Sequence, residues 1–334
     1  MPHLSQAELT NLVCAALEAN NTSKTSAASV AHALVLAEID GRKGHGLSRV
    51  ASYAAQAKAG KVDGFAEPVL SKTAAASLLV DVAHGFAYPA FDLAHPALGP
   101  LAQDAGIAMA GFTRSHHYGV AGHQVERAAD AGFVAMAFGN TPSAMAPWGG
   151  KSALFGTNPI AFAVPRVSDS PLVIDLALST VARGNVMKAA QNDQSIPEGW
   201  AFDADGNSTT DAKAALTGTM APAGGAKGAA LALMVELLAA GLTDSHYAYE
   251  ASSFLSADGP PPGVGQLLML IDPGAFGQRN RVLQRMEDMC AALEAEDGAR
   301  VPGAGRTARR TIAEAEGVAV DDAVIDGLKA LAQG

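Results

Sequence analysis

Residues 40–53 read Asp40-Gly-Arg-Lys-Gly-His-Gly-Leu-Ser-Arg-Val-Ala-Ser-Tyr53, and they follow an alanine-rich helical run that ends at Ile39. Three glycines within six residues interrupt that helix, and a new helical pattern begins near residue 47. His45, Arg49 and Tyr53 are spaced four residues apart. A step of four residues drifts only about 40° around a helix axis, so the pattern predicts that the three side chains share one helix face.

The three side chains suit a reductase that acts on carboxylate substrates. A histidine transfers protons near neutral pH, an arginine binds a carboxylate through two hydrogen bonds, and a phenol adds another hydrogen bond. The same residues also fit a structural interpretation, in which His45 caps a helix and Arg49 is solvated.

A family resemblance favours the catalytic interpretation. The pattern His45-Gly46-x-x-Arg49-x-x-x-Tyr53, preceded by Glu38-x-Asp40-Gly41, resembles the signature of the type 2 malate/L-lactate dehydrogenases. These are NAD(P)H-dependent oxidoreductases unrelated to the Rossmann lactate dehydrogenases. The resemblance implies that His45 is the proton-transfer group and that Arg49 and Tyr53 bind the substrate.

Composition limits the choice of partners. The 334 residues exceed the usual size of one hydrophobic core, so we expect two domains. The net charge of −10 disfavours nucleic acid and anionic membranes as partners. The first residues lack a secretory signal pattern, and the longest apolar run, residues 228–242, is too short to span a bilayer. Cys14 and Cys290 lie in apolar helical patterns, which favours buried thiols and a cytoplasmic protein.

The pattern of elements predicts an α/β (α+β) protein. Residues 1–72 are helical throughout, and residues 276–334 are again helical. Between them, residues 73–275 alternate helices with β-rich runs. These runs are residues 77–82, 107–113, 133–139, 160–165 and 172–176. We therefore expect a helical domain built from both termini, with an α/β domain inserted at residues 73–275.

The chain has no G-x-G-x-x-G between a strand and a helix, which argues against a Rossmann fold. The family resemblance implies instead a non-Rossmann NAD(P)-binding domain with a mixed, largely antiparallel sheet. It also implies a set of cofactor-binding residues in three stretches: His117, Tyr118, Gly119, Val120 and Ala121; Asp175, Leu176 and Ala177; and Lys227 and Gly228. In the first stretch, glycine-spaced amides before a helix suit a pyrophosphate. Each stretch also fits an ordinary tight turn.

A late turn adds further candidates for the cofactor. Residues 300–306 resemble the family's Pro-Gly turn near the cofactor, which adds Pro302, Gly303 and Arg306. Arg309 and Arg310 extend a basic cluster that suits a 2′-phosphate. We therefore expect NADPH, with NADH as the alternative cofactor. The cluster equally fits a solvated helix start.

The stretches Asn140–Gly150 and Phe155–Phe162 match the family on the substrate side, and the resemblance marks Thr157 as a substrate contact. It also leaves two proton-transfer histidines open, because hydroxyacid members use the one matching His116 and imine reductases the one matching His45. The histidine and cysteine spacings fit no metal motif, and no G-x-S-x-G elbow is present. We therefore expect neither a metal site nor a nucleophilic serine.

Two positions depart from the family pattern. Gly44 stands where members commonly have serine, and Asn185 stands where imine reductases have aspartate. If both alignments hold, a Ser-His-Asp relay is absent and the proton supply to His45 is unexplained.

The resulting prediction is an NAD(P)H-dependent reductase of a small cyclic imino acid. The substrate would be Δ1-pyrroline-2-carboxylate or Δ1-piperideine-2-carboxylate, reduced to proline or pipecolate with protonation by His45. The alternative is a malate, L-lactate or ureidoglycolate type of 2-hydroxyacid dehydrogenase. A third reading is a ligand-sensing member that has lost catalysis, which the departures at Gly44 and Asn185 keep open. The resemblance also implies a homodimer with its active site near the subunit interface.

Overall fold

The computed structural model describes residues 1–167 and 169–333. In these residues the α-helices are α1 (Gln6–Glu18), α2 (Lys24–Ile39), α3 (Val50–Lys58), α4 (Ala87–Ala105), α5 (Ala121–Asp130), α6 (Arg183–Gln191), α7 (Ala212–Thr217), α8 (Ala226–Glu236), α9 (Arg279–Ala295), α10 (Gly305–Glu316) and α11 (Asp322–Leu331). The strands are β1 (His3–Leu4), β2 (Val69–Ala74), β3 (Ser77–Asp81), β4 (Ile107–Ser115), β5 (Val134–Gly139), β6 (Ile160–Val164), β7 (Leu172–Leu176), β8 (Ala201–Phe202), β9 (Ser208–Thr209), β10 (Thr219–Met220), β11 (Val264–Ile271) and β12 (Val318–Ala319).

A seven-stranded sheet forms the centre of the molecule, in the order β2-β3-β4-β11-β5-β6-β7. Only β3 and β4 run parallel, and the other five pairings are antiparallel. The predicted mixed, largely antiparallel sheet is therefore confirmed. The expectation of only helices in residues 1–72 and 276–334 was wrong, since β1, the start of β2 and β12 lie there. The sequence analysis also missed β11, which lies in the middle of the sheet. This strand is covered on both faces, so its apolar run lacks the alternation that reveals a half-exposed strand.

The two faces of the sheet bury separate cores. On β4, Ala108, Ala110 and Phe112 face the helices α4 and α5, whereas Met109 faces the opposite side. This alternation follows from the two-residue period of a strand. Phe112 is fully buried and its ring stacks on Phe91 with centroids 4.0 Å apart. Burial of one such side chain contributes roughly 2–3 kcal/mol.

A third core joins the two ends of the chain. It packs α1, α2 and α3 against α11, and β1 pairs with β12 beside it. The predicted capping box opens α1, since Ser5 Oγ accepts from the amide of Glu8 and the Glu8 carboxylate accepts from the amide of Ser5.

The domain boundaries at residues 72 and 275 stay a prediction, and Gly334 lies outside the described residues. In the described part of the chain, no helix is long and apolar enough to cross a membrane. Both cysteines are free thiols.

Candidate active site

One edge of the central sheet collects the segments on which the site depends. At this edge β4, β5 and β7 end, while β6 and β11 begin. Their pairing places Ser115 opposite Val264, Gly139 opposite Gln266, and Ile160 opposite Leu176. The segments 116–121, 140–141, 157–159 and 177–179 therefore leave the sheet at the same edge.

The stretch 40–53 does not form the single helix face that its spacing predicts. His45 ends a separate 3-10 turn, Lys43–His45, and α3 begins only at Val50. Tyr53 points into the core and is fully buried, whereas Arg49 at the start of α3 is half-buried. The expected column of three side chains is thus wrong, because the chain turns at Gly46 before the helix starts.

Gly46 makes this turn sterically feasible. A Cβ at this position would lie 2.4 Å from the Glu38 Oε2 atom and 3.0 Å from the Glu38 amide nitrogen. The same carboxylate accepts a hydrogen bond from the amide of Leu47 at 3.1 Å. Glu38 thereby fixes the path of the chain that carries His45.

His117 nevertheless connects His45 to Tyr53, and Tyr53 connects in turn to Tyr88. The His45 Nδ1 atom lies 3.2 Å from His117 Nε2, and the two ring planes are within 16° of each other. On its other side, His117 Nδ1 lies 2.5 Å from the Tyr53 hydroxyl. That hydroxyl is 3.1 Å from the hydroxyl of Tyr88. Four polar side chains thus form one continuous hydrogen-bonded row.

The charges near this row are cationic. The Arg49 Nε atom donates to the Gly44 carbonyl at 2.6 Å, which holds the guanidinium over the His45 turn. Burial, followed by the charges of Arg49 and Arg42, lowers the pKa of His45 to about 4. Burial and the Arg49 charge also hold the pKa of His117 well below its usual range. Both imidazoles are therefore neutral at pH 7.

His116 lies beneath this row and is only 1% exposed. Its Nε2 atom lies 3.0 Å from Gln56 Oε1, and the Gln56 amide nitrogen donates to the Phe254 carbonyl at 2.8 Å. The bond to Phe254 fixes the orientation of the Gln56 amide, so Gln56 Oε1 faces His116 and accepts. His116 therefore carries its proton on Nε2. Its Nδ1 atom is buried without a partner in the described residues. Burial lowers the pKa of His116 to about 3, so this ring is also neutral.

Thr157 lies at the same edge of the sheet, where a buried carboxylate supports its loop. Its amide donates to Thr141 Oγ1 at 2.9 Å, and its carbonyl accepts from the amide of Leu178 at 2.7 Å. The next residue, Asn158, has a left-handed backbone with φ of 40°. Its side chain donates to the Glu236 carboxylate at 2.9 Å.

Sequence reasoning did not identify Glu236. This buried carboxylate also accepts from the side chain of Asn140 and from the amides of Gly156 and Ala248. Its only sequence signal is a single acidic residue inside an apolar helix.

The helix start that seemed best suited to a pyrophosphate already has an anionic partner. At the N-terminus of α5, the amide of Gly122 donates to the Asp175 carboxylate at 3.0 Å. Nearby, the Tyr118 hydroxyl is buried without a partner in the described part of the chain. Gly119, with φ of 74°, leaves room for the Tyr88 hydroxyl, which a Cβ would approach to 2.7 Å.

The N-terminus of α8 is better suited to a phosphate. No side chain caps this helix, so its first amide groups stay open beside the exposed Lys227. Gly228 permits the close turn, because a Cβ there would lie 2.1 Å from the Ala223 carbonyl oxygen. The amide of Ala223 in turn donates to the Leu178 carbonyl at 2.8 Å, which ties this turn to the strand end after Leu176. The open amides and Lys227 fit an anionic group of a dinucleotide.

The late Pro-Gly turn contacts the backbone of β7, an edge strand of the central sheet. The Pro302 carbonyl accepts from the amide of Val173 at 3.1 Å, and Gly303 has φ of 91°. The basic cluster that follows is largely paired. Arg306 is buried 3.6 Å from the Glu126 carboxylate, so it is not a free cation as the sequence suggested.

Arg310 is paired as well, since it binds Asp40 at 2.7 Å and Glu126 at 2.8 Å. Among residues 1–167 and 169–333, Arg309 has no carboxylate partner, and its Nη1 atom donates to the Gly305 carbonyl.

The two departures from the family pattern lie in different parts of the chain, and Gly44 immediately precedes His45. Gly44 has open space around its Cα, and Asn185 is exposed near the start of α6.

Sequence reasoning assigned Tyr53 to the substrate and His117 to the cofactor, and it did not consider Tyr88 at all. No local spacing links these three residues, because they come from α3, α4 and the loop after β4. The described residues contain no group of three or more metal-ligating side chains.

Comparisons with known proteins agree with this architecture. The family model for malate/L-lactate dehydrogenase matches residues 4–329. A (2R)-3-sulfolactate dehydrogenase (NADP(+)) from Chromohalobacter salexigens is 49% identical over 98% of both chains. A Δ1-pyrroline-2-carboxylate/Δ1-piperideine-2-carboxylate reductase from Pseudomonas putida is 41% identical over 97% of this chain and 95% of that one. The crystal structure of Δ1-piperideine-2-carboxylate reductase from Pseudomonas syringae pvar. tomato superposes with a TM-score of 0.94. It is 36% identical and covers 99% of this chain and 100% of that one.

Proposed function

The chain belongs to the malate/L-lactate dehydrogenase family of NAD(P)-dependent oxidoreductases, and we propose that it interconverts a small 2-hydroxy acid and its 2-oxo acid with NADP(H). The first candidate substrate is 3-sulfolactate, with 3-sulfopyruvate as its oxidised form. The observation that carries this choice is a pair of guanidinium groups beside one neutral imidazole.

The two guanidinium groups favour a substrate with two anionic groups. Arg49 is held over the His45 turn by its bond to the Gly44 carbonyl, and Arg42 starts that turn, with its carbonyl accepting from the amide of His45 at 2.7 Å. After burial, the charges of Arg49 and Arg42 further lower the pKa of His45. In the described part of the chain, neither guanidinium has a carboxylate partner. A 2-hydroxy acid with a carboxylate and a sulfonate supplies one anion to each, whereas a cyclic imino acid supplies only one.

The neutral state of His45 suits both directions of the reaction. Oxidation needs a base that accepts the hydroxyl proton, and a neutral imidazole has a free lone pair. Reduction needs a donor, and the same ring in its other tautomer has an N–H. His45 Nδ1 is engaged with His117, so Nε2 is the nitrogen that faces the substrate. Arg49 orients the carboxylate next to the reacting carbon.

The open N-terminus of α8 and Lys227 would hold the anionic part of the dinucleotide. When bound, the nicotinamide supplies or accepts the hydride. The preference for NADPH rests on Arg309, because Arg306 and Arg310 are neutralised by Glu126 and Asp40.

A second candidate is the reduction of Δ1-pyrroline-2-carboxylate or Δ1-piperideine-2-carboxylate. The 41% identity to a reductase of these imines and the TM-score of 0.94 favour it. Asn185 counts against it, since the family resemblance expects an aspartate at this position in imine reductases.

Steady-state NADPH oxidation would decide between the two candidates. The assay compares 3-sulfopyruvate, pyruvate, Δ1-pyrroline-2-carboxylate and Δ1-piperideine-2-carboxylate in the wild type and in Arg42→Ala. We expect the highest kcat/KM with 3-sulfopyruvate. Arg42→Ala should lower that value about tenfold, equivalent to one charge-assisted contact, and change the value for pyruvate much less.

Lys58→Ala, at the exposed end of α3, is the matched control for loss of a positive charge. A higher kcat/KM with either cyclic imine, insensitive to Arg42→Ala, would replace the first candidate with the second.

Homodimer formation also remains a proposal. One side of α8 exposes Leu231, Leu233, Met234 and Leu237, between 38% and 52% of each side chain. Apolar side chains on one helix face suit burial against a second subunit. Light scattering after size exclusion would test this, and a monomer at micromolar concentration would contradict it.

A further inference from the structure

We propose that His45 exchanges its proton with solvent through His117, Tyr53 and Tyr88, which form a proton relay from the substrate to a solvent-open cavity. This inference rests on the proposed function, because it explains how the proton donor is recharged. It also answers a question raised by the sequence, since Gly44 and Asn185 leave His45 without a Ser-His-Asp relay.

The geometry of the relay is continuous. Successive polar atoms are separated by 3.2 Å between His45 and His117, 2.5 Å between His117 and Tyr53, and 3.1 Å between Tyr53 and Tyr88. All three distances are within hydrogen-bonding range. Each imidazole uses one ring nitrogen towards each neighbour, so neither ring has to rotate.

The relay ends at a cavity. Tyr88 lines a solvent-open cavity of about 320 Å³ that also borders Ser29, Asp92 and His123. Tyr53 lies in the middle of the row and is fully buried, and Tyr88 is 4% exposed. Solvent therefore does not reach the middle of the row directly. Because Gly119 has no side chain, the Tyr88 hydroxyl fits beside it. A Cβ at position 119 would lie only 2.7 Å from that oxygen.

The proton count balances in both directions. In one arrangement, His45 Nδ1–H donates to His117 Nε2, His117 Nδ1–H donates to Tyr53, and Tyr53 donates to Tyr88. When His45 Nε2 takes the hydroxyl proton of the substrate, each relay proton moves one bond along, and Tyr88 releases one proton to water. In the reversed arrangement, reduction of the 2-oxo acid takes the proton from Nε2, and water returns one at Tyr88.

No member of the relay has to carry a charge at rest. Each hydrogen bond holds one proton before and after transfer, so both imidazoles and both phenols stay neutral. Burial agrees with this, because it lowers the pKa of both histidines and raises the pKa of Tyr53 to about 12. A Ser-His-Asp relay would instead place a carboxylate near the substrate anions.

Tyr53→Phe and Tyr88→Phe test the relay, because each removes one hydroxyl and keeps the packed ring. We expect kcat with 3-sulfopyruvate to fall about ten- to a hundredfold in both variants, within the range of general acid–base effects. The solvent deuterium isotope effect on kcat should rise and the effect of deuterated NADPH should fall, since proton transfer becomes slower than hydride transfer. NADPH affinity and Tm should remain near the wild-type values.

Tyr249→Phe is the matched control, because Tyr249 is exposed and its ring stacks on Tyr247. Wild-type isotope effects in Tyr88→Phe would overturn the relay. A loss of kcat that follows a loss of NADPH affinity would also overturn it, since both tyrosines would then be structural.

NMR of ¹⁵N-labelled histidine tests the same inference without turnover. The relay requires a neutral His117 with both nitrogens hydrogen-bonded, and Tyr53→Phe should shift its Nδ1 resonance. If His117 becomes protonated above pH 6, or if its Nδ1 signal is unchanged in Tyr53→Phe, the relay is wrong. Absence of turnover with every acid in the wild type would reject the proposed function, and the NMR result would still decide the relay.

Discussion

The His45 Nδ1 atom lies 3.2 Å from the His117 Nε2 atom, although the two residues are 72 positions apart in the chain. This contact leaves Nε2 of His45 as the ring nitrogen available to a substrate. It also joins the glycine-rich turn of the helical region to the edge of the central sheet. The catalytic assignment of His45 depends on this contact more than on its spacing from Arg49 and Tyr53.

His45→Ala and His116→Ala should have different effects. We expect His45→Ala to lower kcat about 10²- to 10⁴-fold with little change in NADPH affinity, because it removes the proton-transfer group. His116→Ala should mainly lower stability, by about 2–4 kcal/mol, because it opens a buried space and leaves the Gln56 Oε1 atom without its partner. Stopped-flow kinetics and urea denaturation measure both quantities. Loss of activity in His116→Ala at unchanged stability would make His116 the proton-transfer group instead.

Gly46→Ala and Gly44→Ala form a matched pair in the same turn. The new methyl group at position 46 would lie 2.4 Å from the Glu38 carboxylate, whereas position 44 has nothing within 4 Å. We expect Gly46→Ala to displace His45 and to lower kcat at least about tenfold, since misplacement of a catalytic group is costly. Gly44→Ala should change kcat less than about twofold. Equal activity in the two variants would show that the turn does not position His45.

Arg309→Ala should reduce the preference for NADPH over NADH. Arg309 is the exposed member of the basic cluster that lacks a carboxylate partner in the described ranges, so it is best placed to bind a 2′-phosphate. We expect the ratio of kcat/KM values for the two cofactors to fall about tenfold. Arg281→Ala on α9 is the control for loss of charge. An unchanged ratio would exclude Arg309 from cofactor discrimination.

Stability should decrease as the pH falls from 6.5 to 5. Burial lowers the pKa of His45 and of His95 to about 4 and that of His116 to about 3. The unfolded chain, in which histidine has a pKa of about 6.5, therefore binds more protons than the folded chain in this window. As the pH falls below 6.5, each such histidine lowers the free energy of unfolding by about 1.4 kcal/mol per pH unit. Above pH 6.5 it has no such effect.

His95→Gln tests this linkage outside the site, because the ring of His95 is hydrogen-bonded to Gln124. Urea denaturation at several pH values gives the dependence of the free energy of unfolding on pH. In this variant that dependence should be weaker by the contribution of about one proton. His32→Gln is the matched control. A slope equal to that of the wild type in His95→Gln would contradict the linkage.

The fold class could be predicted from the sequence because local patterns determine it. Five strands were found from their β-rich runs, and Ser5 with Glu8 predicted the start of α1. The central strand Val264–Ile271 was missed, since a strand buried on both faces shows no alternation. The single helix face of His45, Arg49 and Tyr53 was wrong, because spacing cannot show that Gly46 turns the chain away from the helix axis.

The sequence by itself determined the family and the class of chemistry, and it predicted the residues that carry that chemistry. His45, Arg49 and the glycines around them are local features, and short-range geometry is encoded in short stretches. Only the tertiary structure decided which groups meet. It joined His45 to His117, Tyr53 and Tyr88, and it paired Arg306 and Arg310 with carboxylates from other segments. The physical reason is that hydrogen bonds, ion pairs and pKa values depend on distance and burial, which arise only when remote segments pack together.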